Sequence, residues 1–423
     1  MSKLRKIFDK LHKYRNSKEA TRLTVNFLSL STLQLLSYIF PLITLPYLAK
    51  TIGVNGFGSI AFAAAVIAYF STFTDWGFRY TAVREISKNR QNIEVVSEIF
   101  SRVIVCKTML MLISAFILFI LITFIPLFNK NAIVLWATFM LIPGYILFPD
   151  WFFQAMEEMK YITIMTIAAK TIFTVLIFLV IKTEQDFVIE PLLQACGYIV
   201  SGGIAFIYAI KHFHIKLSLP SIPMALKSMR QSSNMFVSQF FPTLYNNLSI
   251  IMLEGISGAK ANGLFSAGFK FVTIMDQITQ ALSRAFYPFL ARRMEKHTFY
   301  VRLSGGISIL MSILLLTFSH LLVKLFYTSE FYNATLVIQI MACTPFFLFL
   351  MNAFGTNGLV LIGKDNILRN IVVVCSILGL VIALISIYLW SYVGVAIALT
   401  VTWGIRGITS YLMYKKYSKI QTK

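Results

Sequence analysis

Residues 26–50 read NFLSLSTLQLLSYIFPLITLPYLAK, and Lys50 is the first charge among them. A helix rises about 1.5 Å per residue. An uncharged run of this length therefore crosses a bilayer core about 30 Å thick. It is longer than the apolar core of a cleaved leader, and no A-x-A site follows it. Residues 26–49 are thus expected to be a retained first span. Pro41 and Pro46 lie inside it. Prolines free backbone carbonyls and bend helices, which a membrane tolerates where the helix lines a cavity or is covered by neighbours.

Further apolar runs of spanning length follow at 58–78, 103–127, 132–154, 161–181, 188–210, 233–254, 262–285, 303–326, 336–362, 371–390 and 393–414. Over the 423 residues, 57% are apolar and 13% charged, with a mean hydropathy of +0.75. A soluble domain carries roughly a quarter charged residues. The expected class is all-α: a polytopic membrane protein of about twelve transmembrane helices, with no room for a large soluble domain.

The net charge is +21. With both termini in the cytoplasm, 30 Lys and Arg residues fall on the cytoplasmic side, Lys107 counted with the connection before the third run. Only Lys50, Lys130, Lys182, Lys260 and Lys324 fall outside. This bias fits the positive-inside rule. The excess then faces anionic headgroups rather than nucleic acid. Cys106, Cys196, Cys343 and Cys375 stand singly in apolar runs and are expected to pack the core. No spacing suggests a metal site or disulfide frame.

Catalytic fingerprints are absent, and no connection outside the membrane could house an enzyme site. Gly358-Leu-Val-Leu-Ile-Gly363-Lys364 has phosphate-loop spacing, but Asp365 stands where Ser or Thr would hold Mg²⁺. The expectation is a non-enzyme without cofactors.

The eighth run is the most polar. Asn262, Ser266, Lys270, Thr273, Gln277, Gln280 and Arg284 recur at helical spacing on one face, with Asp276 at its border. A charge at mid-bilayer costs about 2.5–3.5 kcal/mol on insertion scales, so this stripe is read as a cavity wall. Gln34, Ser37, Tyr38 and Pro41 form a similar arc in the first run, and Gln239, Pro242, Thr243 and Asn246 in the seventh. Asp75 and Arg79, four apart, are read as a local helix-end ion pair, and Asp150 as a cap. Lys170 and Arg406 either reach a cavity or snorkel to the interface.

A shift of 205 residues overlays the first two runs on the seventh and eighth. Gln34 meets Gln239, Gly53 meets Gly258, Gly58 meets Gly263, Thr74 meets Thr279 and Arg79 meets Arg284. Parallel halves with a substrate site between them are a known transporter plan. The expected division is a basic segment 1–25, helices 1–6 over 26–210, a linker 211–232, helices 7–12 over 233–414 and a basic tail 415–423.

The stretch from Gln34 through Pro41, Pro46, Gly53-x-x-Gly56-Phe-Gly58 and Asp75-Trp-Gly77 to Arg84-Glu85-Ile-Ser-Lys-Asn-Arg90 resembles the bacterial polysaccharide transport family. That family includes the O-antigen flippases of the Wzx type. It lies within the multidrug/oligosaccharidyl-lipid/polysaccharide exporter superfamily. Asp150-Trp-Phe-Phe-Gln154-Ala-Met-Glu157 resembles its fourth-helix end, with Ala155 where a glycine is usual. The resemblance implies two six-helix lobes around a central cavity opened alternately to each side. It also implies a cargo of undecaprenyl diphosphate carrying an oligosaccharide, an O-antigen or capsule repeat unit, flipped to the outer leaflet of the inner membrane. Lys270, Arg284, Arg79 and Arg406 would then meet the diphosphate. Asn262, Gln277, Gln280, Gln239, Asn246, Gln34 and Tyr38 would meet sugar. The first run lacks the arginines that some lipid-diphosphate flippases carry there. Asp75 and Asp276 are the candidates for a coupling ion. Expected partners are the lipid-linked oligosaccharide, membrane lipid, a glycan polymerase and a chain-length regulator. The rival readings are a cation-coupled drug antiporter, which would want several intramembrane acids, and a membrane polymerase or ligase, which would want a large outer loop.

Overall fold

A computed structural model describes residues 18–421; within its helices the side chains of Gln34, Tyr38 and Asn246, among others, lie outside the described residues. Residues 1–17, most of the basic N-terminal segment, lie outside them too. The described residues contain no strand, and eight of their helical stretches are long and apolar enough to cross a membrane; divided at their kinks, and with Ile222–Arg292 added, the helices make twelve spans.

Three long helices each hold two spans: Lys18–Asp75 broken at Gly53, Ile222–Arg292 broken at Gly258, and Asp365–Gln421 broken at Ser391. Ile93–Phe124, Met159–Val180, Ile189–His212 and His297–Phe326 are single spans. The fourth and tenth spans are assembled from shorter pieces over 132–155 and 334–360. Met351–Val360, at the end of the tenth, winds as a π-helix.

The breaks at Gly53 and Gly258 are alike. Gly53 has φ 64° and ψ −177°, and Gly258 has φ 79° and ψ 179°. That corner of backbone space is open essentially to glycine alone. The two glycines that the 205-residue shift superposes thus perform the same turn, which places a repeat in the backbone as well as in the sequence.

The chain folds as two compact units whose boundary cuts through the first, second and seventh spans. Among the described residues, one unit gathers those up to Thr44 with Ile67–Lys182 and Val188–Phe241; the other holds Leu45–Val66, Thr183–Phe187 and those from Pro242 onward. In the second unit, Leu45, Ala49 and Val54 are buried in one apolar cluster with Leu264, Ala267, Phe271 and Phe331.

In the first unit, Trp76 (φ 47°) and Gly77 (φ 76°) end the second span and turn the chain into the helix Phe78–Lys88. Trp76 stacks on Phe236 with ring centroids 4.3 Å apart, and its Nε1 donates to the Met229 carbonyl at 2.9 Å. A Cβ on Gly77 would meet the Met235 Cβ at 2.7 Å. The start of the seventh span is thereby seated on the end of the second. Trp151, Phe152, Phe153 and Ala155 are almost wholly buried with Phe78 and Phe100, so the Asp150–Ala155 motif serves packing, apart from its aspartate. Of the four cysteines, Cys106 and Cys375 are buried as expected, whereas Cys196 and Cys343 are exposed.

Candidate functional site

The first unit contains a cavity of about 410 Å³. Its wall is built from the second span (Ser71, Thr74, Asp75), the third (Lys107), the fourth (Tyr145, Asp150), the fifth (Thr166), the sixth (Tyr198) and the seventh (Gln239), with Arg79 at the start of Phe78–Lys88. Six spans and a connecting helix from one compact unit thus converge on one cavity.

Two ion pairs dominate the wall. Lys107 Nζ lies 2.7 Å from Asp75 Oδ1, with the lysine side chain 8% exposed and the aspartate 29%. Arg79 Nη2 lies 2.6 Å from Asp150 Oδ2, with the arginine 54% exposed. The cavity is therefore sealed at Lys107 and open at Arg79. The expected Asp75–Arg79 pair does not form, because Trp76 and Gly77 leave the helical region between them and remove the one-turn geometry. The expected cap does not form either: Pro149 holds the N-cap position and Asp150 is the first helical residue, its Oδ1 accepting from the neighbouring Trp151 N–H at 2.8 Å.

Sequence reasoning missed Lys107 as a site residue. The third helix begins at Ile93, so Lys107 sits about 21 Å along its axis, at about 1.5 Å per residue, not in a connection. Thr74 completes the inner wall. It is 3% exposed, and its Oγ1 has no hydrogen-bond partner among the described residues. Tyr145 and Tyr198 meet edge to face with centroids 5.0 Å apart.

The eighth-span stripe lies in the second unit and divides in two. Asn262 is fully buried, and its Nδ2 donates to the Gly58 carbonyl at 3.3 Å and to Glu254 Oε2 at 3.2 Å. It belongs to a helix crossing, and Glu254 is a buried acid that periodicity did not single out. Further along, Gln280 Nε2 donates to Asp276 Oδ2 at 2.8 Å, and Arg284 Nη2 donates to Gln280 Oε1 at 2.8 Å. Asp276, Gln280 and Arg284 thus form one ladder along the helix. Gln277 and Arg284 are exposed; Lys270 and Arg406 are half-buried.

The structure therefore brings Asp75, Arg79 and Gln239 to one cavity and Asp276, Gln280 and Arg284 to one ladder. The side chains of Gln34, Tyr38 and Asn246 lie outside the described residues. Among the described residues no three His, Cys, Asp or Glu side chains are grouped to hold a metal ion.

Residues 23–294 match the family model described as "Polysaccharide biosynthesis protein". The chain is 27% identical over 388 residues to a protein of Escherichia coli (strain K12) named "Putative O-antigen transporter", covering 89% of this chain and 93% of that one. It is 22% identical over 372 residues to a protein of the same name from Shigella dysenteriae, covering 86% and 93%. Among solved structures it resembles "Lipid II flippase MurJ, inward closed conformation", with a TM-score of 0.70 at 11% identity, covering 93% of this chain and 87% of that one. It also resembles an inward-facing multidrug resistance MATE family transporter of the MOP superfamily, with a TM-score of 0.66 at 12% identity, covering 90% and 96%. At such identities these two likenesses speak for the fold.

Proposed function

The chain belongs to the family of polysaccharide biosynthesis proteins, and from that premise we propose that it flips an undecaprenyl-diphosphate-linked oligosaccharide, an O-antigen or capsule repeat unit, from the inner to the outer leaflet of the cytoplasmic membrane by alternating access. The observation that carries this reading is the family match over residues 23–294. The shared names of the two relatives and the polar groups held within the spans support it.

The physical task is clear. A diphosphate and many hydroxyls do not cross hydrocarbon unaided, because each unpaired polar group pays its full desolvation cost there. A polar path removes most of that cost, while the lipid tail stays in the bilayer. Lys270, Arg284 and Arg406 are the cations this reading assigns to the diphosphate, and Gln277 and Gln280 offer adaptable hydrogen bonds beside them. With both termini in the cytoplasm, the inside-negative potential drives anions outward by about 2.3 kcal/mol per charge per 100 mV. Two charges at about 150 mV then gain about 7 kcal/mol by the same relation, which suffices without ATP. Asp276, bonded to Gln280, and Asp75, paired with Lys107, are the acids through which an ion would couple. A polymerase and a chain-length regulator would receive the product outside.

The test is genetic and chemical. Lys270→Ala and Arg284→Ala should each abolish surface glycan and leave lipid-linked oligosaccharide accumulated in the inner leaflet, with the protein still inserted. Normal surface glycan from both variants would remove the clamp from the mechanism.

A further inference from the structure

The cavity of the first unit suits a different part of the cargo from the diphosphate. We propose that it binds a neutral sugar ring of the glycan, and that it is where this protein reads which glycan it carries. The inference rests on the flippase reading and deepens it.

Charge is the first argument. The wall holds two cations and two carboxylates, and each cation already touches its own carboxylate, at 2.7 Å for Lys107 and Asp75 and 2.6 Å for Arg79 and Asp150. Their fields cancel at short range. A dianion entering here would have to pull a cation from its partner and leave a carboxylate unpaired in a partly buried site, which is strongly unfavourable. A neutral polyol faces no such penalty. Each paired carboxylate keeps lone pairs able to accept from sugar hydroxyls, and its ion pair fixes where those lone pairs point.

The second argument is the wall chemistry. Thr74 presents a buried hydroxyl with no partner among the described residues, and buried polar groups are nearly always satisfied in native proteins. Thr166 and Gln239 share that wall and extend the set of donors and acceptors. Opposite chemistry comes from Tyr145 and Tyr198, whose edge-to-face packing holds the rings at a fixed angle. An aromatic face is electronegative and accepts the polarised C–H groups of a pyranose. Hydroxyls, fixed carboxylates and an aromatic wall together are the complement of a sugar ring, which is polar around its rim and apolar on its faces.

Size is the third argument. About 410 Å³ has room for one or two rings and not for a lipid-linked repeat unit. The cavity can thus sample a part of the glycan while the diphosphate engages cations elsewhere.

The experiment uses the full-length protein purified in detergent. The probes are the methyl glycosides of glucose, galactose, rhamnose, N-acetylglucosamine and N-acetylgalactosamine, with inorganic pyrophosphate as the anionic probe. Saturation-transfer NMR should detect at least one glycoside, and a tenfold excess of pyrophosphate should leave that signal in place. Thr74→Val, which keeps the side-chain shape, should weaken binding about fivefold, the loss expected for one neutral hydrogen bond. Tyr145→Ala should abolish it, with thermal unfolding confirming that both variants are folded. Binding of no glycoside, displacement by pyrophosphate, or undiminished binding by both variants overturns the proposal. Surface glycan is scored on wild type in parallel. Export by a wild-type protein that binds no glycoside rejects the sugar pocket alone, whereas failure to restore export to a deletion strain rejects the flippase reading itself.

Discussion

Gly58 and Gly263 sit on opposite sides of one helix crossing, each pressed against the other helix's backbone. A Cβ on Gly58 would fall 1.8 Å from the Ala259 carbonyl oxygen, and a Cβ on Gly263 would fall 2.0 Å from the Val54 carbonyl oxygen. The same 205 residues separate Gly58 from Gly263 and Val54 from Ala259, so the two contacts are images of each other under the internal repeat. Asn262 ties the crossing by donating to the Gly58 carbonyl.

Because backbone, not a flexible side chain, occupies the space, a larger residue has nowhere to go. Gly58→Val and Gly263→Val should each force the second and eighth spans apart. A cost of at least the 1–3 kcal/mol typical of overpacking, ~3 kcal/mol or more here, is expected. Thermal unfolding in detergent measures it, and the two variants should lose comparable stability because the contacts are equivalent.

The turns at Gly53 and Gly258 separate backbone strain from crowding. No atom lies within 4 Å of a Cβ placed on Gly258, so Gly258→Ala should be destabilising through its positive φ alone, by about 1–3 kcal/mol. Gly203→Ala and Gly306→Ala are the controls. Both have equally open surroundings without a positive φ, and alanine there should be neutral or stabilising by about 0.5–1 kcal/mol. Equal effects at Gly258 and Gly203 would show that the turn tolerates alanine.

The two ion pairs of the cavity should respond unequally. Lys107→Met leaves Asp75 without its partner beside a sealed wall, and breaking such a pair costs about 3–5 kcal/mol. The double variant Lys107→Met with Asp75→Leu should recover much of that loss, since no buried charge is stranded. Arg79 is 54% exposed, so Arg79→Ala should cost only about 0–1 kcal/mol. Denaturation midpoints of the three variants give the comparison.

The Asn262 tie carries its own expectation. Asn262→Leu fills the space but removes the donor shared by the Gly58 carbonyl and Glu254. Leaving a buried acceptor unsatisfied costs about 1–3 kcal/mol, more for a charged group. Adding Glu254→Gln, which supplies its own donor, should restore part of the stability. An additive double variant would mean that the two side chains do not interact.

The span count and the glycine turns were legible in the sequence because hydropathy over twenty residues and the need for a positive φ are both local properties. The site was less so. Lys107 reads as part of a connection because charges interrupt a hydropathy run, although the helix carrying it begins at Ile93. Its partner Asp75 lies 32 residues away, and no periodicity in one chain reveals such a pairing. The Asp75–Arg79 expectation assumed a continuous helix that Trp76 and Gly77 interrupt. Helical spacing groups the polar residues of the eighth span on one face, yet spacing does not say what each point of a face meets. Asn262 meets the second span, whereas Arg284 meets its own helix through Gln280.

The π-wound stretch Met351–Val360 sets the tenth span apart in how it could evolve. A π turn closes with one residue more than an α turn, so this segment stores surplus chain within its length. Removing a single residue there can be absorbed by rewinding to the α form, leaving the flanking faces of the span in register. The same deletion in a plain α span would rotate everything beyond it by about a quarter turn. Natural length variation among the spans should therefore concentrate in this one.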